Sequence, residues 1–100
     1  MHIREFQKLI SQKYEVRDRE RGTPKTFLWF IEEVGELAEA LRGGRSHAET
    51  SAEFADVLAW LATLANIAGV NLDDAIAAKY GTGCPTCGRV PCACGPTEKP

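Results

Sequence analysis

Two groups of carboxylates carry the chemistry this sequence can do. The first is Glu32-Glu33-x-x-Glu36; the second, after sixteen intervening residues, is Glu53-x-x-Asp56. Helical residues three or four apart are surface neighbours, so Glu32 with Glu36, Glu33 with Glu36 and Glu53 with Asp56 set like charges side by side. Each such pair destabilises an isolated helix by ~0.2–0.5 kcal/mol. Glu39 extends the first group, and no lysine or arginine lies one turn away to neutralise it until Arg42. The bland reading is a solvated polar face, because at ~100° per residue these glutamates lie opposite an apolar stripe. Trp29 and Ala40 share their side, which implies partial burial. Glu53 and Asp56 sit in an otherwise apolar segment, where adjacent carboxylates lose hydration and need compensation, most simply by a cation. If the two segments are antiparallel neighbours, the two acidic sets can face each other. An all-oxygen carboxylate site selects Mg²⁺, with Mn²⁺ as the alternative. Neither motif contains histidine, and the Glu-x-x-His pattern of di-iron bundles is absent. Mg²⁺ held by carboxylates takes substrate phosphates as further ligands. No G-x-x-x-x-G-K-[ST] loop occurs. The chemistry implied is phosphate chemistry without a phosphate-binding loop.

A second cluster lies in the tail, where all 4 cysteines fall: Cys84-Pro85-Thr86-Cys87-Gly88-Arg89-Val90-Pro91-Cys92-Ala93-Cys94. Cys-Pro-x-Cys-Gly has the form of half a zinc knuckle, whose turn lets both sulfurs reach one metal. The second half, Cys-x-Cys after four residues, is unusually close. Zinc through Cys84, Cys87, Cys92 and Cys94, disulfide pairing, and free thiols all remain open on spacing alone. The tail is too small to be a catalytic domain of its own.

The elements that must position these groups are helical. Ile3, Phe6, Ile10 and Tyr14 recur at helical spacing and predict a helix over about 2–16. Arg17 to Gly22 then reads as a charged connector. Thr23-Pro24 supplies a capping hydroxyl and a proline at the first helical position, opening a second helix to about 42. Its stripe is Phe27, Phe30, Ile31, Val34, Leu37, Ala38 and Leu41, and Gly43-Gly44 stops it. Thr50-x-x-Glu53 has the form of a capping box for the third helix, with Ser46-x-x-Glu49 as its rival. Phe54, Val57, Leu58, Leu61, Leu64, Ala65 and Ala68 form the main stripe of that helix, ending near Gly69. Ala55, Ala59, Trp60 and Ile67 make its other side apolar too. A helix apolar all round is a buried helix. So short a chain cannot surround it, which predicts a partner subunit, most simply a two-fold homodimer. Asn71 caps a fourth helix, Leu72 to about Tyr80, closed by Gly81. No window alternates like a strand. The fold class expected is all-α: a bundle of three long helices and a short fourth, completed by homo-oligomerisation. Residues 1–82 form the helical domain and residues 83–100 the Cys/Pro/Gly-rich tail.

Composition narrows the partners. The chain has 100 residues, a formal net charge of -2 and 44% hydrophobic residues. That hydrophobic share is globular and too high for disorder. The chain lacks the basic excess of a generic nucleic-acid binder. Its apolar runs are too short to span a bilayer, and its start shows no signal-peptide core. The expectation is a soluble cytoplasmic protein with neither nucleic acid nor membrane as partner. His2 and His47 are isolated and read as solvated.

The paired motif resembles the signature of the MazG-like, all-α nucleoside triphosphate pyrophosphohydrolases. The likeness extends through Thr26–Arg42 and Glu53–Trp60, to Asn66 and to Ala77-Ala78-Lys79-Tyr80, covering about residues 3–81. The tail resembles that of a subgroup ending in a cysteine-rich segment. The resemblance implies Mg²⁺-dependent hydrolysis of a nucleoside triphosphate to the monophosphate and pyrophosphate, by dimers or tetramers. It implies Glu33, Glu36, Glu53 and Asp56 as metal ligands, and Glu32 as the residue that orients or deprotonates water. Lys79 would contact phosphate, or else be a solvated lysine at a helix end; Lys25 is a weaker phosphate candidate. Trp29 and Trp60 would stack on a base, or pack in the core or an interface. House-cleaning of damaged nucleotides is a family-level expectation. The alternative from another class is a non-catalytic helical dimer that binds a partner through a zinc-bearing tail.

Overall fold

Helix α1 (Ile3–Arg21) outruns its apolar stripe. The segment read as a charged connector is its last turn and a half, because Arg and Glu are good helix formers. The turn is further supported by Arg19 to Glu15 at 3.1 Å and by an Arg21–Asp18 pair. Only Gly22, at φ +83°, breaks the chain. Helix α2 (Thr23–Leu41) starts immediately beyond it, with Pro24 in its first turn. Thr23 does not cap α2; Gly22 holds the cap position and has no side chain to offer. The Thr26 hydroxyl donates back to the Gly22 carbonyl at 2.7 Å, tying the first turn to the glycine without capping it.

Helix α3 (His47–Ala68) begins at the rival box. The Ser46 hydroxyl accepts from the Glu49 amide at 3.1 Å, and Gly69 closes the helix in the left-handed conformation at φ +72°. Helix α4 (Leu72–Tyr80) is capped as expected, the Asn71 side chain accepting from the Asp74 amide at 3.0 Å. These bounds come from a computed structural model that describes residues 1–100 and contains four helices and no strand. No single helix is long and apolar enough to cross a membrane.

Helices α2 and α3 make the most extensive packing, α1 lies along α3, and α4 packs principally on α1. Polar side chains fix the α1–α3 register. The Gln7 amide donates to Asn66 Oδ1 at 3.0 Å and to the Val70 carbonyl at 2.7 Å, and its oxygen accepts from the Leu72 amide at 2.9 Å. One residue thus joins α1, the end of α3 and the start of α4. About three turns of α1 further on, the Thr63 hydroxyl donates to Asp18 Oδ2 at 3.2 Å.

The faces of α2 and α3 match the sequence expectation only in part: Phe30 and Leu37 of the α2 stripe and Val57, Leu64 and Ala65 of the α3 stripe are at least half-buried, and the rest of each stripe is exposed. In α2 the inward residues are Thr26, Phe30, Glu33, Leu37 and Ala40, spaced by three and four. The stripe expected to form the core lies largely outside: Ile31 is 48% exposed, and Phe27, Val34 and Leu41 are exposed as well. In α3 the side expected to await a partner, Ala59, Trp60 and Ile67, is partly buried within the chain, while Phe54 is 53% exposed and Leu58 and Leu61 lie open. Ala55 is exposed. The physical reason is close approach: Ala40, Ala62 and Ala65 let helices pack tightly, whereas the large outer residues form a face of their own.

Candidate active site

The orientation of α2 turns Glu33 toward α3. Carboxylate oxygens of Glu33, Glu53 and Asp56 all lie within 4.8 Å of one another across the α2–α3 seam. Glu33 Oε2 and Glu53 Oε2 are buried atoms with no hydrogen-bond partner. Burial raises the Glu33 carboxyl above the ordinary value of 4.5, and the charges of Glu36 and Asp56 raise it further. Burial likewise raises Glu53, followed by Glu36 and Asp56, against an opposing pull from Arg45. The Glu53 side chain is 15% exposed. Buried carboxylates with orphaned oxygens are costly unless a cation compensates them. The donor set is all oxygen, at the mutual spacing a divalent ion requires, so the residues present fit Mg²⁺ or Mn²⁺.

Glu36 is exposed and stands at the edge of this trio, near enough to raise both Glu33 and Glu53 by charge and by side-chain hydrogen bonding. Glu32 is exposed, one position away on α2, and outside the trio. Arg45, in the α2–α3 loop, reaches Glu39 at 3.8 Å and Glu53 at 3.9 Å. It is the counter-charge the acidic helices otherwise lack, and the sequence reading passed over it. The signal was its place in a tight Gly-Gly-Arg loop joining two acidic helices.

Asp56 also borders a cavity of ≈ 390 Å³ whose walls include Tyr14, Asp18, Arg21, Trp29 and Trp60. Trp29 and Trp60 meet edge to face, ring centroids 5.5 Å apart. The Arg21 guanidinium lies 4.8 Å from the Trp29 ring and 5.0 Å from the Trp60 ring, and Lys25 Nζ lies 5.4 Å from Trp29. Arg21 is itself held by Asp18 and by its Nε donating to Thr26 Oγ1 at 2.9 Å. Asp18 and Arg21 were assigned to a connector by sequence; their three-residue spacing before a glycine was the available sign. Lys79 sits on α4 over Tyr80, 5.7 Å from its ring, and is not among the residues lining this cavity.

The model of the MazG nucleotide pyrophosphohydrolase domain matches residues 21–88. The chain belongs to the MazG family. No curated protein matches it. The MazG match takes in α2, α3 and α4, and with them both carboxylate motifs, and runs on to Gly88. The domain it identifies is a nucleotide pyrophosphohydrolase, a hydrolase of acid anhydrides. In this MazG chain an acidic cluster compatible with a divalent metal therefore adjoins an aromatic and cationic cavity, and the two share Asp56.

The tail brings its cysteines together at a separate place. All four are free thiols whose sulfurs lie within 4.8 Å of one another. Backbone amides of Ala93 and Arg89 lower the Cys87 thiol to about 6, and those of Cys87 and Thr86 lower Cys84. Hydrogen bonding with Cys92, then burial, pushes Cys94 up to about 12.

Proposed function

We propose that this MazG protein hydrolyses a nucleoside triphosphate to the monophosphate and pyrophosphate with Mg²⁺, as a homodimer or homotetramer acting in the cytoplasm. The observation that carries the reading is that Glu33 Oε2 and Glu53 Oε2 are each buried without a hydrogen-bond partner in the cluster these residues form with Asp56. Glu33, Glu53 and Asp56, with Glu36 at the edge, are the groups that would hold the ion. Bound there, Mg²⁺ would neutralise phosphate oxygens and polarise phosphorus.

The chain's own residues supply the rest. Glu32, exposed beside the trio, orients or deprotonates the attacking water. Trp29 and Trp60 offer apolar faces to a base, and Arg21, fixed over both rings, and Lys25 bring positive charge to a polyanionic substrate. Lys79 does not line the cavity of a single chain.

The outward face supports self-association. Phe27, Ile31, Val34 and Leu41 of α2 and Phe54, Leu58 and Leu61 of α3 leave a row of large apolar residues uncovered. Such a patch marks an interaction surface, and a second copy turning the same face across a two-fold axis covers it symmetrically.

The test is pyrophosphate release from a panel of standard and damaged ribo- and deoxyribonucleoside triphosphates, with and without Mg²⁺. The expected result is Mg²⁺-dependent release from at least one, with metal binding weakened in Glu36→Gln. Release from none, with metal binding intact in Glu36→Gln, would overturn the enzymatic reading and leave the non-catalytic dimer.

A further inference from the structure

The cysteine cluster stands apart from the carboxylates and from the aromatic cavity, and pyrophosphate hydrolysis makes no use of it. Its geometry is specific. Cys84 Sγ lies 3.6 Å from Cys92 Sγ and 3.9 Å from Cys94 Sγ, and Cys87 Sγ lies 3.9 Å from Cys92 Sγ. A tetrahedron of sulfurs about zinc, at a Zn–S length of about 2.3 Å, has edges of about 3.8 Å. A disulfide would bring two sulfurs to about 2.05 Å and leave the remaining pair elsewhere.

The backbone is built around the same four atoms. The Gly88 amide donates to the Cys84 carbonyl at 2.7 Å and the Cys84 amide to the Arg89 carbonyl at 3.2 Å, closing the Cys-Pro-x-Cys-Gly turn. Gly88 is left-handed at φ +73°. A Cβ on Gly83 would fall 2.7 Å from the Gly88 carbonyl oxygen, so the segment entering the turn must be bare there. From the other half, the Ala93 amide donates to Cys87 Sγ and the Cys94 amide to Cys92 Sγ, each at 3.3 Å. Amide donors to sulfur stabilise thiolate ligands and fix their direction.

Nothing else in the segment explains its order. Its hydrogen bonds close on themselves, Val90 is 82% exposed, and the segment contributes no buried residue. A stretch this short, without a core, needs a cross-link or a metal to hold one conformation.

We propose that Cys84, Cys87, Cys92 and Cys94 form a closed tetrathiolate site for one Zn²⁺ per chain, structural in kind and independent of the carboxylate site. Four protein ligands leave no open position for substrate or water. Binding displaces the thiol protons to solvent and involves no change of oxidation state.

The test uses the full chain, purified without a histidine tag under reducing conditions and dialysed against metal-free buffer. Elemental analysis is expected to give one zinc per chain. Exchange with Co²⁺ is expected to give the intense visible bands of tetrahedral cobalt with thiolate charge transfer. In Cys87→Ser and in Cys84→Ala/Cys94→Ala, zinc should fall at least tenfold while the far-ultraviolet helical signal stays. Pyrophosphate release by Cys87→Ser should remain within twofold of the native chain. Zinc absent with four freely titrating thiols, iron in its place, a disulfide found by mass spectrometry, or zinc retained in both variants would each overturn the assignment. The zinc, cobalt, thiol and helical readouts need no enzymatic activity, so the site stands or falls separately from the proposed hydrolysis.

Discussion

Replacing Asp18 by alanine tests the link between the folded core and the cavity most directly. The Asp18 and Arg21 side chains are 5% and 12% exposed, so the substitution leaves a nearly buried guanidinium without its carboxylate. Breaking such a pair costs roughly 3–5 kcal/mol. Arg21 keeps Thr26 and the two indole rings, and the cavity beside it admits water, which places its share near the lower limit, about 2–3 kcal/mol. The Thr63 hydroxyl also loses its acceptor, adding about 1 kcal/mol. The total is about 3–4 kcal/mol, and a domain this size loses about 4–8 °C of melting temperature per kcal/mol, hence about 12–32 °C. Asp18→Asn keeps one oxygen for Arg21 and turns an amide NH2 to the Thr63 hydroxyl, which can accept from it, so it should cost less than Asp18→Ala. Glu15→Ala, which removes an exposed pair with Arg19, should change stability by less than about 0.5 kcal/mol. Urea unfolding of the three variants at one protomer concentration gives the ranking. Steady-state kinetics give the second half: with Arg21 released from its place over the tryptophans, KM for the nucleotide should rise more than kcat falls. Equal stability of Asp18→Ala and Glu15→Ala, or a loss confined to kcat, would refute the reasoning.

Three further outcomes follow from the same geometry. Ile31→Glu and Leu58→Glu should each weaken self-association about 100-fold or more by placing a charge in the apolar face, read by sedimentation equilibrium; an unchanged oligomer would show that the face is not the interface. Glu33 and Glu53 have raised carboxyl values, so the folded chain holds their protons more tightly than the unfolded one, and metal-free stability is lost as pH rises from about 4.5 through the raised values. Glu53→Gln should therefore raise the metal-free melting temperature at pH 7 and abolish the extra stabilisation by Mg²⁺, which in the native chain grows over that same pH interval; calorimetry showing no gain at pH 7 would contradict the burial argument. Glu32→Gln should lower kcat by ~10²–10⁴-fold while keeping the Mg²⁺-induced melting shift, and loss of that shift would make Glu32 a ligand instead.

Much of this was legible in the sequence because periodicity and capping are local. The four helices, Gly69 as a stop, Asn71 as a cap and the two acidic motifs all come from residues a few positions apart. What failed was the choice between two apolar faces. In α2 the larger side chains make the stripe that reads as core, but the buried positions are the small residues Thr26 and Ala40. In α3 both faces are apolar, and composition cannot say which meets a neighbour in the same chain. Asp18 and Arg21 were missed because a run of alternating charges reads as solvated until a third helix covers one side of it, and Arg45 because its partners are distant in the fold rather than in register along a helix.

Helix α2 presents Glu33 to α3 and Phe27, Ile31, Val34 and Leu41 outward, and the two faces are locked in phase by 3.6 residues per turn. Point substitutions can alter one face and spare the other. The insertion or deletion of a single residue between Gly35 and Leu37 cannot, since it turns everything beyond it by about 100° and takes Ala40 off α3 and Leu41 out of the outer row together. Across homologues, α2 should therefore vary in letters but not in length, whereas the Gly43–Arg45 loop should be free to grow.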